Sequence, residues 1–545
     1  MSVEKIKINS KNLRGTLEQS LTNQITQALN DDDQTVIKFH GIYQQDDRDR
    51  REIRAQKKLE KDYSFMLRLR ISGGKISASH WLLIDNLADK NANHKIKITT
   101  RQTVQLHGII KSKLKPTLQD FMKNNLDSIA ACGDVNRNIM SSAVIEKNHS
   151  YLQVNEIAKE MSLHLLPKTK AYHEVWLDGE KISPENEIDE LYGQTYLPRK
   201  FKIALAIPPY NDVDVFSQDI GFIAIIDDQK LLGFNVVVGG GMGSTHGNHQ
   251  TYPRLGDLTG FISVDQVLKT AYTIITIQRD FGNRQERKNS RFKYTIAKYG
   301  LEWFKQEFAK RAGFEFQSPH KFNFEKRGDN YGWDQDYQGK WHLTIFVENG
   351  RVYDDEKMQL KKALREIAQN NLGNFRCTNN QNIIISDVEK NHKKNLEKIL
   401  KKYQVNIANY SPIRLDSLAC VALNTCSLAL AEGQRYLPTL ITKIELILKK
   451  YNLSNEPISI RMTGCPNGCA RPFLAEIGLV GKALGKYNLY LAGDRLGLRL
   501  NRLYKEDLQE EQILYELDNF FNKYSQSKKP DDNFGDFILR EVYGQ

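Results

Sequence analysis

Cysteine is scarce here: six in 545 residues, too few and too clustered to make a disulfide scaffold. No stretch approaches the ~18 unbroken apolar residues that a membrane span requires. No Walker, His-Glu-x-x-His or Gly-x-Ser-x-Gly motif occurs. Gly239-Gly240-Gly241-Met242-Gly243 misses the dinucleotide fingerprint, because Ser244 or His246 falls where the last glycine should stand. That run suits either a close backbone approach to a planar or anionic group or a plain turn. The N-terminus has no apolar core of a secretory signal, so the chain is expected in the cytoplasm, where thiols stay reduced.

What is present fits a folded protein with sizeable cores: 40% hydrophobic and 26% charged residues, with 24 Tyr, 23 Phe and 5 Trp. At roughly 150 residues per domain, the length suggests three or four domains. The formal net charge is +12, which suits a polyanionic partner or cofactor, or a set of solvated helix faces.

The pattern repeats along the chain. Residues 65–71 read as a strand before Gly73-Gly74, then a helix near 80–87, a strand over 96–106 and a helix over 115–125. Residues 343–352 mirror 67–76, a helix follows over 358–369, and 377–385 mirror 98–106. The two pairings run at nearly the same offset, as an internal duplication of a βαβ-type half would. Further on, 202–205 and 233–240 resemble 459–462 and 486–493. Two such halves facing each other make a cleft. The polar first 62 residues read as an extended arm.

Chemistry concentrates in the cysteines. Cys420-x5-Cys426 and Cys465-x3-Cys469 supply four thiols about 40 residues apart. The set suits a [4Fe–4S] cluster; structural zinc, which prefers two to four intervening residues, and free thiols or a redox pair stay open. Gly464, Pro466 and Gly468 keep that loop bare enough for N–H groups to approach sulfur. Cys132 and Cys377 stand apart and read as small buried residues. A second set is cationic. Arg68 and Arg70 share one strand face, Arg101 and Arg137 sit in tight loops, and Arg199, Lys200 and Lys202 precede an apolar strand. Lys200 and Lys202 share a face, with Phe201 opposite. A face of ammonium groups repels itself unless an anion compensates it.

These residues together resemble the sirohaem-dependent sulfite and nitrite reductases. The most specific matches are residues 39–49, 100–108 and 196–202, and Thr463-Gly464-Cys465-Pro466-Asn467-Gly468-Cys469; the likeness runs from Leu13 to Phe537. The resemblance implies an α+β, three-domain architecture with a pseudo-two-fold duplication and mixed sheets. Its expected parts are an arm over 1–62, paired ferredoxin-like halves over 63–130 and 326–407, a sirohaem and substrate domain over 131–325, and a cluster and sirohaem domain over 408–545. It implies a [4Fe–4S] cluster on Cys420, Cys426, Cys465 and Cys469, with Cys469 also bridging to the sirohaem iron. It places Arg68, Arg137, Lys200 and Lys202 around substrate, and Arg101, Gln105, His107, Arg199 and Asn467 on the sirohaem carboxylates. The implied activity is six-electron reduction of sulfite to sulfide in sulfate assimilation and cysteine biosynthesis, without nucleic acid or membrane. No flavin or nicotinamide site is recognisable, so electrons come from a partner: an NADPH-dependent flavoprotein, or ferredoxin as the alternative donor to a sulfite or nitrite reductase. A non-catalytic Fe–S protein binding nucleic acid would match the charge and the cysteines but leaves cations on strands unexplained. Ala470 and Pro472 depart from the family's usual Gly and Ala, and the chain stops soon after Phe537, short of the family's usual tail.

Overall fold

Among the described residues the chain forms four five-stranded sheets, two of one kind and two of another. The computed structural model describes residues 2–183, 187 and 189–545. The first sheet runs, edge to edge, Ile42–Asp46, Tyr63–Arg68, Val104–Ile109, Ile96–Ile98 and Arg351–Val352, all antiparallel. The second runs Gly332–Gln335, Trp341–Ile345, Ile383–Val388, Asn374–Cys377 and Lys75–Ile76, again antiparallel. Each sheet thus takes its last strand from the other half. Two glycines permit the exchange. Gly74 (φ +75°) and Gly350 (φ +66°) bring the backbone so close that a Cβ would lie 2.4 Å from the Cys377 carbonyl oxygen and 2.3 Å from that of Ile98. The helices Ala78–Asn91 and Leu360–Gln369 pack across the same pseudo-dyad, held by Lys361 on Asp85 (2.9 Å) and Asp89 (2.6 Å).

The other two sheets also match each other. One is ordered Asp257–Ser263, Lys230–Val238, Ile220–Asp227, Ile203–Ala206, Met140–Ser141; the other Ser417–Ala419, Ile460–Thr463, Ile477–Ala483, Lys486–Leu491, Arg502–Leu508. Each has three parallel strands continued by antiparallel ones. The repeats seen at 202–205 and 233–240 are strands of the first, and those at 459–462 and 486–493 are the matching strands of the second. One core runs through the first three sheets; the helices Leu437–Lys450, Glu510–Ser527 and Phe534–Tyr543 close a second over the fourth. No helix among the described residues is long and apolar enough to cross a membrane.

Two readings of the sequence are corrected. Residues 96–106 form a hairpin rather than one strand. Gln102 turns the chain at φ +51°, and Thr99 N donates to Thr103 O (2.8 Å). Alternation carried through the turn because Gln102 is buried there, its amide bonded to both N and O of Ser141. The first 62 residues are not a free arm. Ile42–Asp46 is a strand of the first sheet, and Leu13, Leu17, Ile37 and Phe39 are buried. The polar run looked exposed, yet its side chains are engaged: Gln44 Oε1 accepts from Leu29 N (2.7 Å) and Asp46 pairs with Arg51.

His40 pins this segment. Its Nε2–H donates to Leu13 O (2.8 Å), and its Nδ1 accepts from Trp176 Nε1 (3.0 Å). A second ring proton would face an N–H, and burial pushes the imidazole down to about 4. The folded value lies below the unfolded one, so the unfolded chain binds the extra proton first. This stability is complete above pH ~6.5 and lost as pH falls toward 4, at about 3 kcal/mol in all. His40→Gln is expected to flatten the fall in melting temperature between pH 7 and 5; a slope equal to wild type would remove His40 from that role.

Candidate active site

The four cysteines meet where two adjacent parallel strands end. Cys420 and Cys426 follow Ser417–Ala419; Cys465 and Cys469 follow Ile460–Thr463. Carboxyl ends of parallel strands are where open α/β sheets bind ligands. Gly464 N donates to Cys420 Sγ (3.4 Å) and Asn467 Nδ2 to Cys465 Sγ (3.6 Å). Gly464 has no room for a side chain: a Cβ would stand 2.6 Å from Ala422 Cβ and 2.6 Å from Ala431 O. Burial, then the charge of Cys469, raises the Cys420 and Cys426 thiols, and raises Cys465 to about 11. Thiols so placed stay protonated until a metal ion binds them and displaces the proton. Among the described residues, no three His, Cys, Asp or Glu side chains form a single-ion site.

Cys469 is the exposed member of the four. It opens on a cleft lined by Arg101, Lys200, Lys202, Arg291, Asn467 and Arg471. Strand alternation sets the two lysines: Phe201 between them is fully buried against Phe292 (5.4 Å between rings). Lys202 N donates to Asp219 Oδ2 (2.9 Å), and Arg291 pairs with the same carboxylate (2.8 Å). Burial and then Arg199 push the Lys200 ammonium down to about 7, and burial and then Lys200 push Lys202 well below its usual range. Arg101 donates to Gln218 Oε1 (3.0 Å) and Ile203 O (3.1 Å), but its buried Nε has no partner. This crowd of cations around an orphaned guanidinium N–H suits a multiply charged anion.

Arg68 and Arg137 converge on the Ala131 carbonyl (3.4 and 3.2 Å). Behind Arg68 stands a chain of polar groups. Gln105, its amide oxygen turned to Arg68, accepts from Nε (2.8 Å) and donates to His107 Nε2 (3.2 Å); His107 Nδ1 donates to Gln45 Oε1 (3.0 Å). Burial, helped by Lys97, holds His107 neutral, at about 3.

Other predicted residues lie elsewhere. Arg70 lies beyond the strand's end at Arg68 and pairs with Asp127 (2.6 Å), so the two arginines do not act together. Arg199 turns to Asp134 (3.8 Å), where Arg287 (2.8 Å) and Lys7 (3.7 Å) also meet. Cys132 and Cys377 are buried, and burial raises Cys377 to about 12. The glycine-rich run packs on the cysteine loop: Ser244 N donates to Pro466 O (2.9 Å), and a Cβ on Gly243 would stand 3.2 Å from Asn467 O.

The sequence did not single out Arg471, Arg291, Gln218 or Asp214. Arg471 alone left a signal, two residues after Cys469. It holds the Thr100 carbonyl (2.9 Å) and shares the buried Asp214 with Arg327 and Arg461 (2.6 Å each). The sequence missed Arg48 too. It reaches the carbonyls of Ala429 (2.5 Å) and Cys426 (3.3 Å), and Asp47 accepts from Asn424 Nδ2 (2.7 Å). Arg48→Ala is expected to speed loss of visible absorbance in air several-fold with little change in far-ultraviolet dichroism; an unchanged bleaching rate would sink this.

Residues 157–316 match the family described as nitrite and sulphite reductase 4Fe-4S domain. Residues 57–124 and 335–403 match the nitrite/sulfite reductase ferredoxin-like half domain. The 157–316 segment contains no cysteine; the four lie near the sheet that repeats its topology. The chain is 57% identical over 543 residues to "Sulfite reductase [NADPH] hemoprotein beta-component" of Leptospira biflexa, covering 98% of this chain and 97% of that one. It is 51% identical over 544 residues to the protein of the same name from Lysinibacillus sphaericus, covering 99% and 95%. In structure it resembles the Mycobacterium tuberculosis NirA protein, with TM-score 0.81 at 20% identity over 98% of this chain and 96% of that one. That likeness bears on the fold.

Proposed function

The chain belongs to the haemoprotein beta-component family of NADPH sulfite reductases, and from that membership we propose that it reduces sulfite to sulfide with electrons from an NADPH-dependent flavoprotein. We assign this step to sulfate assimilation and cysteine biosynthesis. The observation that carries the reading is the opening of Cys469 onto the cleft of Lys200, Lys202 and Arg101. Cys420, Cys426, Cys465 and Cys469 would hold a [4Fe–4S] cluster, Cys469 serving the sirohaem iron as well. When bound, the two groups would supply single electrons and a Lewis-acidic iron.

The chain's own residues do the rest. Arg101 and Asn467 would bind sirohaem carboxylates. Gln105 and His107, expected on the sirohaem carboxylates, instead hold Arg68 in place, and Arg199, expected there too, is turned toward Asp134. Arg68, Arg137, Lys200 and Lys202 bind the anion's oxygens and stabilise the charge left as S–O bonds break. The proton donors are the lysines, because a guanidinium stays charged. Bisulfite takes six electrons and six protons to hydrosulfide and three waters. The domain division expected from the sequence, with 131–325 and 408–545 closing on the paired halves, is retained in this proposal apart from the arm.

The test is steady-state reduction of sulfite and of nitrite by the sirohaem-loaded chain with reduced methyl viologen. A kcat/KM preference for sulfite, with sulfide as product, is expected. A preference for nitrite would overturn the substrate assignment, and reoxidation of reduced ferredoxin but not of the flavoprotein would overturn the donor.

A further inference from the structure

Three guanidiniums share one buried carboxylate, so Asp214 alone leaves a surplus of positive charge, which Asp416 meets in part. Asp214 is fully buried. It holds Arg327 Nε on one oxygen (2.6 Å) and Arg461 Nη1 on the other (2.6 Å), which it shares with Arg471. All three arginines are less than 9% exposed. The surplus is costly in the interior unless further anions meet it. Arg471 lines the Cys469 cleft, where cofactor carboxylates would meet its charge. Arg327 and Arg461 instead line a separate cavity of about 260 Å³.

This second cavity lies at the opposite end of the parallel strands. It opens beside Asp416, Ser417 and Ser459, where the strands Ser417–Ala419 and Ile460–Thr463 begin, with Arg495 and Lys326 at its edge. The duplication relates it to the haem cleft. Asn380 occupies the place in the second hairpin that Arg101 has in the first, and Ser459 precedes its strand as Lys202 does. Two donors stay unsatisfied: Arg327 Nη2 and Arg461 Nε are buried without a partner. Both groups only donate, so what completes them must accept. Two further carboxylates line the cavity, and the charge of Asp416 reaches Arg327 and Arg461 as well as Arg495. Asp329 takes hydrogen bonds from Thr378, Asn380 and Asn382 (2.6, 2.9 and 2.7 Å), Asp416 stands 3.5 Å from Arg495, and burial raises both. Glu325 is exposed at the rim.

We propose that this cavity is a second anion site, which takes a small oxyanion of the sulfate and phosphate class on Arg327 and Arg461, with Arg495 at its mouth. The site is distinct from the one that reduces substrate and does not depend on which donor or substrate the haem cleft serves.

The test uses the holoenzyme. Crystals soaked in selenate should show an anomalous peak beside Arg327 and Arg461, and thermal melting in sulfate or phosphate should rise above that in chloride at equal ionic strength. The rise should be lost in Arg495→Glu, whose sirohaem spectrum and viologen-driven turnover stay at wild-type level. A response to sulfate but not phosphate would name a sulfur oxyanion as the ligand; an equal response to both would name the oxyanion class. Absence of the selenate peak would overturn the proposal. So would an undiminished rise in Arg495→Glu, since stabilisation by salts excluded from the surface needs no site. The soak uses the wild-type chain, so it decides the matter even if the variant folds poorly.

Discussion

Cys469→Ser is expected to take viologen-driven sulfite reduction to background, a loss of about 10³-fold or more. The serine oxygen is a hard, weakly acidic donor and a poor substitute for a thiolate on iron. This thiol is the exposed one that faces the cation-lined cleft. Its loss should therefore be felt in both chromophores: less iron and acid-labile sulfide per chain, and a displaced or missing Soret band. Cys132→Ala, at a buried thiol outside the four, should leave both bands and turnover unchanged. Wild-type spectra and turnover in Cys469→Ser would remove this residue from the centre.

Lys202→Met is expected to keep both chromophores and lose about 10²–10³ in kcat, the scale on which one preorganised donor is felt. Methionine retains the bulk of the side chain and removes its charge and its proton. Lys202→Arg separates the two contributions: restored charge should recover KM more than kcat, because a guanidinium does not release its proton at this pH. Lys200 adds a pH signature. An ammonium donates only while protonated, so turnover is present below its pKa and falls as pH rises through it. The surrounding protein sets that point at about 7, and the carboxylates of a bound sirohaem move it upward. Lys200→Arg should abolish the alkaline limb. A limb unchanged in that variant would assign the proton to another group, and normal turnover in Lys202→Met would remove Lys202 from the site.

What the sequence made legible was whatever repeats or clusters along it. The duplication was visible because two hydrophobic patterns recur with matching Gly-Gly and Asn-Gly turns, and these turns are where the halves exchange strands. The cysteines were visible by spacing. Lys200 and Lys202 were visible because alternate residues of an extended segment share a face. Hidden were features made by distant partners. Asp214 meets its three arginines across separations of 113, 247 and 257 residues, and no local pattern joins them. Arg68 and Arg70 have the same local pattern, yet the strand ends between them. The polar run after Tyr43 gave no sign that Arg48 reaches a loop some 380 residues on (separation 381 to Ala429).

The traded strands set an order on synthesis. Lys75–Ile76 pairs with Phe375 and Arg376, and Ile96–Ile98 pairs with Arg351–Val352. At roughly 5–20 residues per second, a ribosome makes the later partners some 15–60 s after the earlier ones. Throughout that interval the nascent first half presents the open edge at Ile96–Ile98, bare of its neighbour and able to pair with another chain. Lys97 sits in the middle of that edge, and a charge there discourages such pairing until Arg351 arrives to close it.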